Sequence, residues 1–89
     1  MTTYHSKPAT VQAVQIPDAS STTILNALAF EFGELGTLDI NGAGDVVMTT
    51  IQGQVVSAAP GEYVVQEQDD PARFYPVAAH VFERRWEER

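Results

Sequence analysis

The 89 residues carry twelve acidic side chains against five basic ones, a formal charge of −7, and no cysteine. Disulfides, thiolate metal sites and cysteine nucleophiles are therefore excluded, and a negative field of this size opposes duplex nucleic acid and anionic membrane surfaces. A small anion is less affected, because physiological salt screens a distant carboxylate beyond ~8 Å.

A chain this short specifies one domain, residues 1–89. Such a domain buries only roughly 60% of the surface its unfolded chain exposes. Without disulfides, self-association is the expected source of extra stability, so a homo-oligomer is the default state. Met1 to Lys7 is polar, and no apolar run approaches the ~20 residues of a membrane span. With the lack of cysteine, this predicts a cytoplasmic protein.

Thr10 to Ile16 predicts the first strand, with Val11 and Ala13 on one face, Val14 and Ile16 on the other, and Pro17 as its stop. Lys7-Pro8 just ahead suits a sheet edge, since proline has no amide hydrogen to leave unpaired. Ser20 or Ser21 then caps a helix. Ile24, Leu25, Leu28, Ala29 and Phe32 fall on one apolar arc at 3.6-residue spacing. Gly33 is the expected terminator, because it accepts the left-handed backbone without a Cβ clash. Phe30 lies off that arc and is expected against a neighbouring loop, with a subunit or ligand contact as the alternative.

From Leu35 the period shortens to two. Short strands are predicted at Thr37 to Ile40, Val46 to Ile51 and Gln54 to Ser57, joined by the turns Asn41 to Asp45 and Gln52-Gly53. Pro60-Gly61 signals a type II turn before a strand at Glu62 to Gln66. Gln68 to Ala72 reads as a solvated loop. Arg73 to Val77 is a strand interrupted by Pro76, which points to a sheet edge or a bulge. The tail leaves two options open. One is a helical turn at Ala78 to Phe82, whose Val81 and Phe82 plug the core, followed by a strand at Glu83 to Glu88 with Trp86 inward. The other is a continuous helix from Ala78 to Glu88. The predicted fold class is α+β, a small bent, mostly antiparallel sheet of about 6–7 short strands with one main helix on one face.

Chemistry-bearing patterns are sparse. His5 and His80 are far apart and lack partners at ligand spacing, so no metal is expected. Asp69-Asp70 lacks the alternating oxygen ligands of a calcium loop. No serine sits in a strand–turn–helix elbow, and no glycine-rich loop precedes the helix to cradle a phosphate. Neither a cofactor nor catalysis is expected. One concentration stands out: all four arginines lie in the last seventeen positions, near Phe74, Tyr75 and His80. The arginines could pair with Glu83, Glu87 and Glu88 while a ring packs inside. Alternatively, they form a surface suited to a planar anion, with guanidinium forks and a tyrosine face to stack on. On that second option the ligand-binding residues are Arg73, Tyr75, His80 and Arg84, with Gln15 supplying an amide.

Lys7-Pro8 followed by Val11-Gln12-Ala13-Val14-Gln15, then Thr50-Ile51-Gln52-Gly53, Pro60-Gly61-Glu62-Tyr63-Val64-Val65, Phe74-Tyr75-Pro76-Val77, Phe82 and Trp86-Glu87 form an ordered set. In that order and spacing the chain resembles a family of small uncharacterised proteins encoded by bacteriophages and prophages. It departs from the family where a short glycine-containing turn becomes the longer Gln66 to Ala72. Arg73 replaces an acidic residue, and Ala78-Ala79-His80 replaces a Lys-Pro-Asp run. The resemblance implies a protein made inside an infected bacterium. By analogy with small phage accessory proteins, it implies a counter-defence role in which a homo-oligomer sequesters a small nucleotide-derived ligand. The alternative is a protein–protein interaction module that inhibits a host protein through its acidic surface. A minor structural role in the virion is the third expectation.

Overall fold

The computed structural model describes residues 3–6, 9–85 and 87–88, with side-chain surroundings described for 11–84. In chain order the elements are β1 (Thr3–Ser6), β2 (Ala9–Gln15), α1 (Ser21–Phe32), β3 (Asp39–Ile40), β4 (Val46–Thr49), β5 (Val55–Ala58), β6 (Tyr63–Gln66), β7 (Phe74–Val77), α2 (Ala79–Arg85) and β8 (Glu87–Glu88). The α+β class holds, with the main helix on one face of an antiparallel sheet. The strands nevertheless divide into two sheets, one of five strands ordered β7-β6-β2-β1-β8 and one of three ordered β3-β4-β5. Every pairing is antiparallel.

The five-stranded sheet is covered on both sides because its inner strands are apolar on both sides. Val14, Ile16, Val64 and Phe74 face a larger core with Ile24, Leu28 and Phe32 of α1, and with Val46, Met48 and Ala58 of the three-stranded sheet. Val11, Ala13, Tyr63 and Val65 face a smaller core closed by Phe82 of α2. The alternation expected along β2 is therefore real, and each of its faces has its own partner. Backbone bonds from Ile16 N to Glu62 O and from Gly61 N to Ile16 O, each 2.9 Å, extend the β2–β6 ladder past Gln15.

The helix α1 forms where its period places it. Ser20 is the N-cap, its hydroxyl accepting from Thr23 N at 3.3 Å, and Gly33 ends the helix at φ +83° while donating to Ala29 O. Pro76 lies in β7, an edge strand of the larger sheet, where its missing amide leaves no ladder bond open. On the other side of the sheet, the Tyr63 and Phe82 rings stack with centroids 4.0 Å apart, and Tyr63 Oη donates to Glu83 Oε2 at 3.2 Å.

Four expectations change. Thr3–Ser6 forms β1 although its side chains show no apolar pattern, because it pairs through the backbone with β2 and β8. The tail is neither a continuous helix nor a long strand, since α2 ends at Arg85 and only Glu87–Glu88 is extended. Phe82 plugs the core, but Val81, one residue back on the helix, points outward at 37% exposure. Phe30 touches no covering loop and stands 83% exposed. The placements expected for Lys7-Pro8 and Trp86 lie outside the described residues.

Removing a fully buried side chain leaves a cavity that the rest of the core fills only in part. Leu28→Ala should therefore lower unfolding free energy by about 2–5 kcal/mol, whereas Val81→Ala should stay within about 0.5 kcal/mol of the parent. Urea denaturation of both variants checks the pair, and equal losses would contradict the outward placement of Val81.

Candidate functional site

The structure disperses the five residues expected to contact a ligand. Gln15 lies at the end of β2 and gives its amide to Gly61 O at 3.1 Å, so that group serves the β2–β6 connection. Arg73 is held at both ends of its guanidinium: Nε meets Asp70 Oδ2 at 3.1 Å, and Nη1 donates to Thr50 O at 2.9 Å. It ties the β6–β7 loop to the β4–β5 turn. Tyr75 packs with Val77 and Ala79 against the smaller core, on the opposite face of the sheet from Phe74. His80 and Arg84 are exposed one turn apart on α2. Tyr75, His80 and Arg84 thus belong to the α2 side, whereas Arg73 reaches the turn that follows β4, whose Val46 and Met48 lie in the other core.

Gln15 and Arg73 thus have partners within the chain, whereas His80 and Arg84 stand exposed on α2. Arg73 sits three residues after Asp70, and Arg73 N donates to Asp70 O at 2.9 Å. This tight turn brings guanidinium and carboxylate together before any ligand could do so. Among the described residues Glu83 accepts from Tyr63 Oη and pairs with neither Arg73 nor Arg84; the pairings expected of Arg85, Arg89, Glu87 and Glu88 lie outside the described side chains.

A concave surface exists elsewhere. Phe32, Glu34, Gly36, Gln66, Asp70, Pro71 and Ala72 line a cleft of about 230 Å³ between the C-terminal end of α1 and the β6–β7 loop. The loop is internally braced. Asp70 Oδ1 accepts from Ala72 N at 3.1 Å, Gln66 Nε2 donates to Pro71 O at 2.9 Å, and Glu67 N donates to Arg73 O at 2.9 Å. Thr37 N donates to Ala72 O at 2.9 Å and fastens the loop to the segment after α1. Gly36 makes this approach possible, since a Cβ there would stand 2.7 Å from Ala72 O, and its φ is +57°.

The cleft is negative and partly greasy. Glu34 and Asp70 supply carboxylates, Phe32 and Pro71 supply apolar wall, and among the described residues no basic side chain lines it. Glu67 and Asp69 lie close to Asp70 in sequence, and among the described residues Arg73 is the cation paired there. Among the described residues the Glu34 side chain has no ion pair. The α1 terminus adds the negative end of its dipole, with no basic residue in the last turn. Such a surface is chemically suited to a cation and unsuited to a phosphate.

Sequence reasoning missed Glu34, Gly36 and Asp70. The usable signals were the Gln66 to Ala72 loop and the Asp70–Arg73 spacing; nothing local marked Glu34. A β-carbon at Gly36 must combine a left-handed backbone with a backbone collision. Gly36→Ala should lower stability by about 2 kcal/mol or more, while Gly33→Ala, with open space around it, should lose only about 1 kcal/mol. Thermal unfolding of both variants tests the difference, and a Gly36→Ala variant as stable as the parent would mean the two loops do not meet as described.

No family model matches the chain, and neither a curated protein nor a solved structure matches it.

Proposed function

We propose that this chain is a non-catalytic interaction module that holds a basic partner protein against its acidic surface. In the infected cell that the phage resemblance implies, the partner is a host protein and binding inhibits it. One observation carries this reading: among the described residues the cleft is lined by Glu34 and Asp70 with no basic side chain, while Arg73, next in sequence to its lining residue Ala72, is already engaged by Asp70 and Thr50. A field of −7 on so small a domain accelerates encounter with a positive partner and repels wrong, negative ones. Phe30, 83% exposed, offers the kind of aromatic anchor that concentrates binding energy at protein interfaces.

A second reading, sequestration of a nucleotide-derived ligand by a homo-oligomer, keeps one observation in its favour. His80 and Arg84 stand exposed on one side of α2, where a second subunit could complete a pocket. It has lost Arg73 and Gln15, whose polar groups are bound within the chain.

The two readings separate in one experiment. Immobilised protein is exposed to bacterial extract at low and high salt, and retained proteins and heat-released small molecules are both identified. The module reading expects one stoichiometric, basic protein. Its affinity should fall by about ten-fold or more as salt rises four-fold, because rim charges are screened, and Glu34→Lys should weaken it further. A released nucleotide, lost in Arg84→Ala and unaffected by Glu34→Lys, would replace the module with the sequestering oligomer.

A further inference from the structure

We infer that Asn41 is a modification site, an asparagine that converts to aspartate or isoaspartate through attack by the Gly42 amide and is held back by the closed β3–β4 turn. The site is independent of whatever the acidic surface binds.

The dipeptide supplies the chemistry. In an Asn-Gly pair the glycine nitrogen reaches Cγ of the asparagine readily, because no side chain on the glycine hinders it. The new N–Cγ bond closes a five-membered succinimide, the Cγ–Nδ2 bond breaks, and the proton of the Gly42 amide leaves with Nδ2 as ammonia. Water then opens the ring at either carbonyl, so aspartate or isoaspartate forms and one negative charge is gained. Both Asn41 and Gly42 are exposed, and the space around Gly42 is open. The backbone amides of Asn41, Ala43, Gly44 and Asp45 each donate a bond of 3.0 Å. Among the described residues, the attacking amide of Gly42 is the one in this turn with no acceptor.

The turn supplies the restraint. Asn41 Oδ1 accepts from both Ala43 N and Asp45 N, while Asn41 N donates to Asp45 O and Asn41 O accepts from Gly44 N. Ring closure must swing Cγ onto Gly42 N, which draws Oδ1 from its two donors and rotates backbone that the other two bonds fix. Reaction therefore runs from an opened turn, at a rate set by how often the turn opens. β3 is two residues long and, among the described residues, pairs with β4 alone at the edge of its sheet. Opening there leaves both cores in place.

The two products differ in consequence. Aspartate keeps Oδ1, so the turn recloses with one more charge. Isoaspartate carries the chain through Cγ, one carbon longer, and the four bonds of Asn41 and the Ile40–Val46 pairing cannot all re-form.

The folded chain and the urea-unfolded chain are incubated at mildly alkaline pH, and the Asn41 peptide is followed by mass spectrometry with fragmentation to identify isoaspartate. The unfolded chain should gain one dalton at Asn41, and the folded chain should react about ten-fold or more slowly. Gly44→Ala puts a β-carbon at φ +86° and should raise the folded-state rate about five-fold, with amide exchange at Asp45 rising in step. Gly42→Ala, in open space and without a positive φ, should fold as the parent does and react several-fold more slowly in both states.

An unfolded chain that stays unmodified at Asn41 would remove the site. Equal rates in the folded and unfolded chains would remove the gate, as would Asp45 exchange that quickens without the modification following. Should Gly44→Ala not fold, the parent chain in urea below its unfolding transition makes the same comparison, and modification must there rise with Asp45 exchange.

Discussion

The adjacent residues Val64 and Val65 of β6 are both fully buried, and because strand side chains alternate they must be buried on opposite faces. A sheet apolar on both sides cannot leave either one in water, so each needs a separate cover. α1 and the three-stranded sheet supply one, and α2, through Phe82, supplies the other. The remaining architecture follows from satisfying this with few residues. The larger cover is built from the contiguous middle of the chain, between β2 and β6, and the smaller one comes from the seven residues of α2.

This arrangement also decides which charged residues are available. β7 must place Phe74 in the larger core, where its ring meets Phe32 at 5.0 Å. Arg73, immediately before it, is thereby delivered to the β4–β5 end, where Thr50 O and Asp70 receive its guanidinium. The partly exposed pair contributes little stability by itself, since solvent screens it. Its effect is positional: it closes the β6–β7 loop and engages the guanidinium of Arg73 within the chain. The same packing that fixes the fold thus leaves the cleft negative.

The parts of the fold written as local periods were legible in the sequence. Val11 and Ala13 against Val14 and Ile16, the Ser20 cap, the Ile24–Leu28–Phe32 stripe and the Gly33 stop each depend on neighbours within one or two turns of chain. The parts set by distant contact were not. Thr3–Ser6 becomes a strand through backbone pairing that its side chains do not announce. Val81 and Phe82 were both plausible core residues, and only the docking of α2 on Tyr63 selects Phe82. The arginine cluster was a fact about chain position, and position near the end of a chain says nothing about direction in space. The cleft was hardest to foresee, because its two sides, 32–36 and 66–72, meet only through Thr37, Gly36 and Ala72.

Electrostatics alone would make this a poor discriminator of partners. A diffuse negative field attracts any basic surface and mainly raises the rate of encounter, and much of that gain is lost as salt screens it. Selectivity requires short-range features that a partner either fits or does not. At the C-terminal end of α1 the chain holds a braced hollow of about 230 Å³, and Phe30, which does not line it, leaves its ring in solvent. An exposed phenyl ring gains nothing for the isolated fold, and its burial contributes only when something covers it. The β6–β7 loop provides the Asp70 wall of the hollow. Shortening it would remove Asp70 and Ala72 together, and with them one wall of the hollow, while leaving most of the acidic field in place.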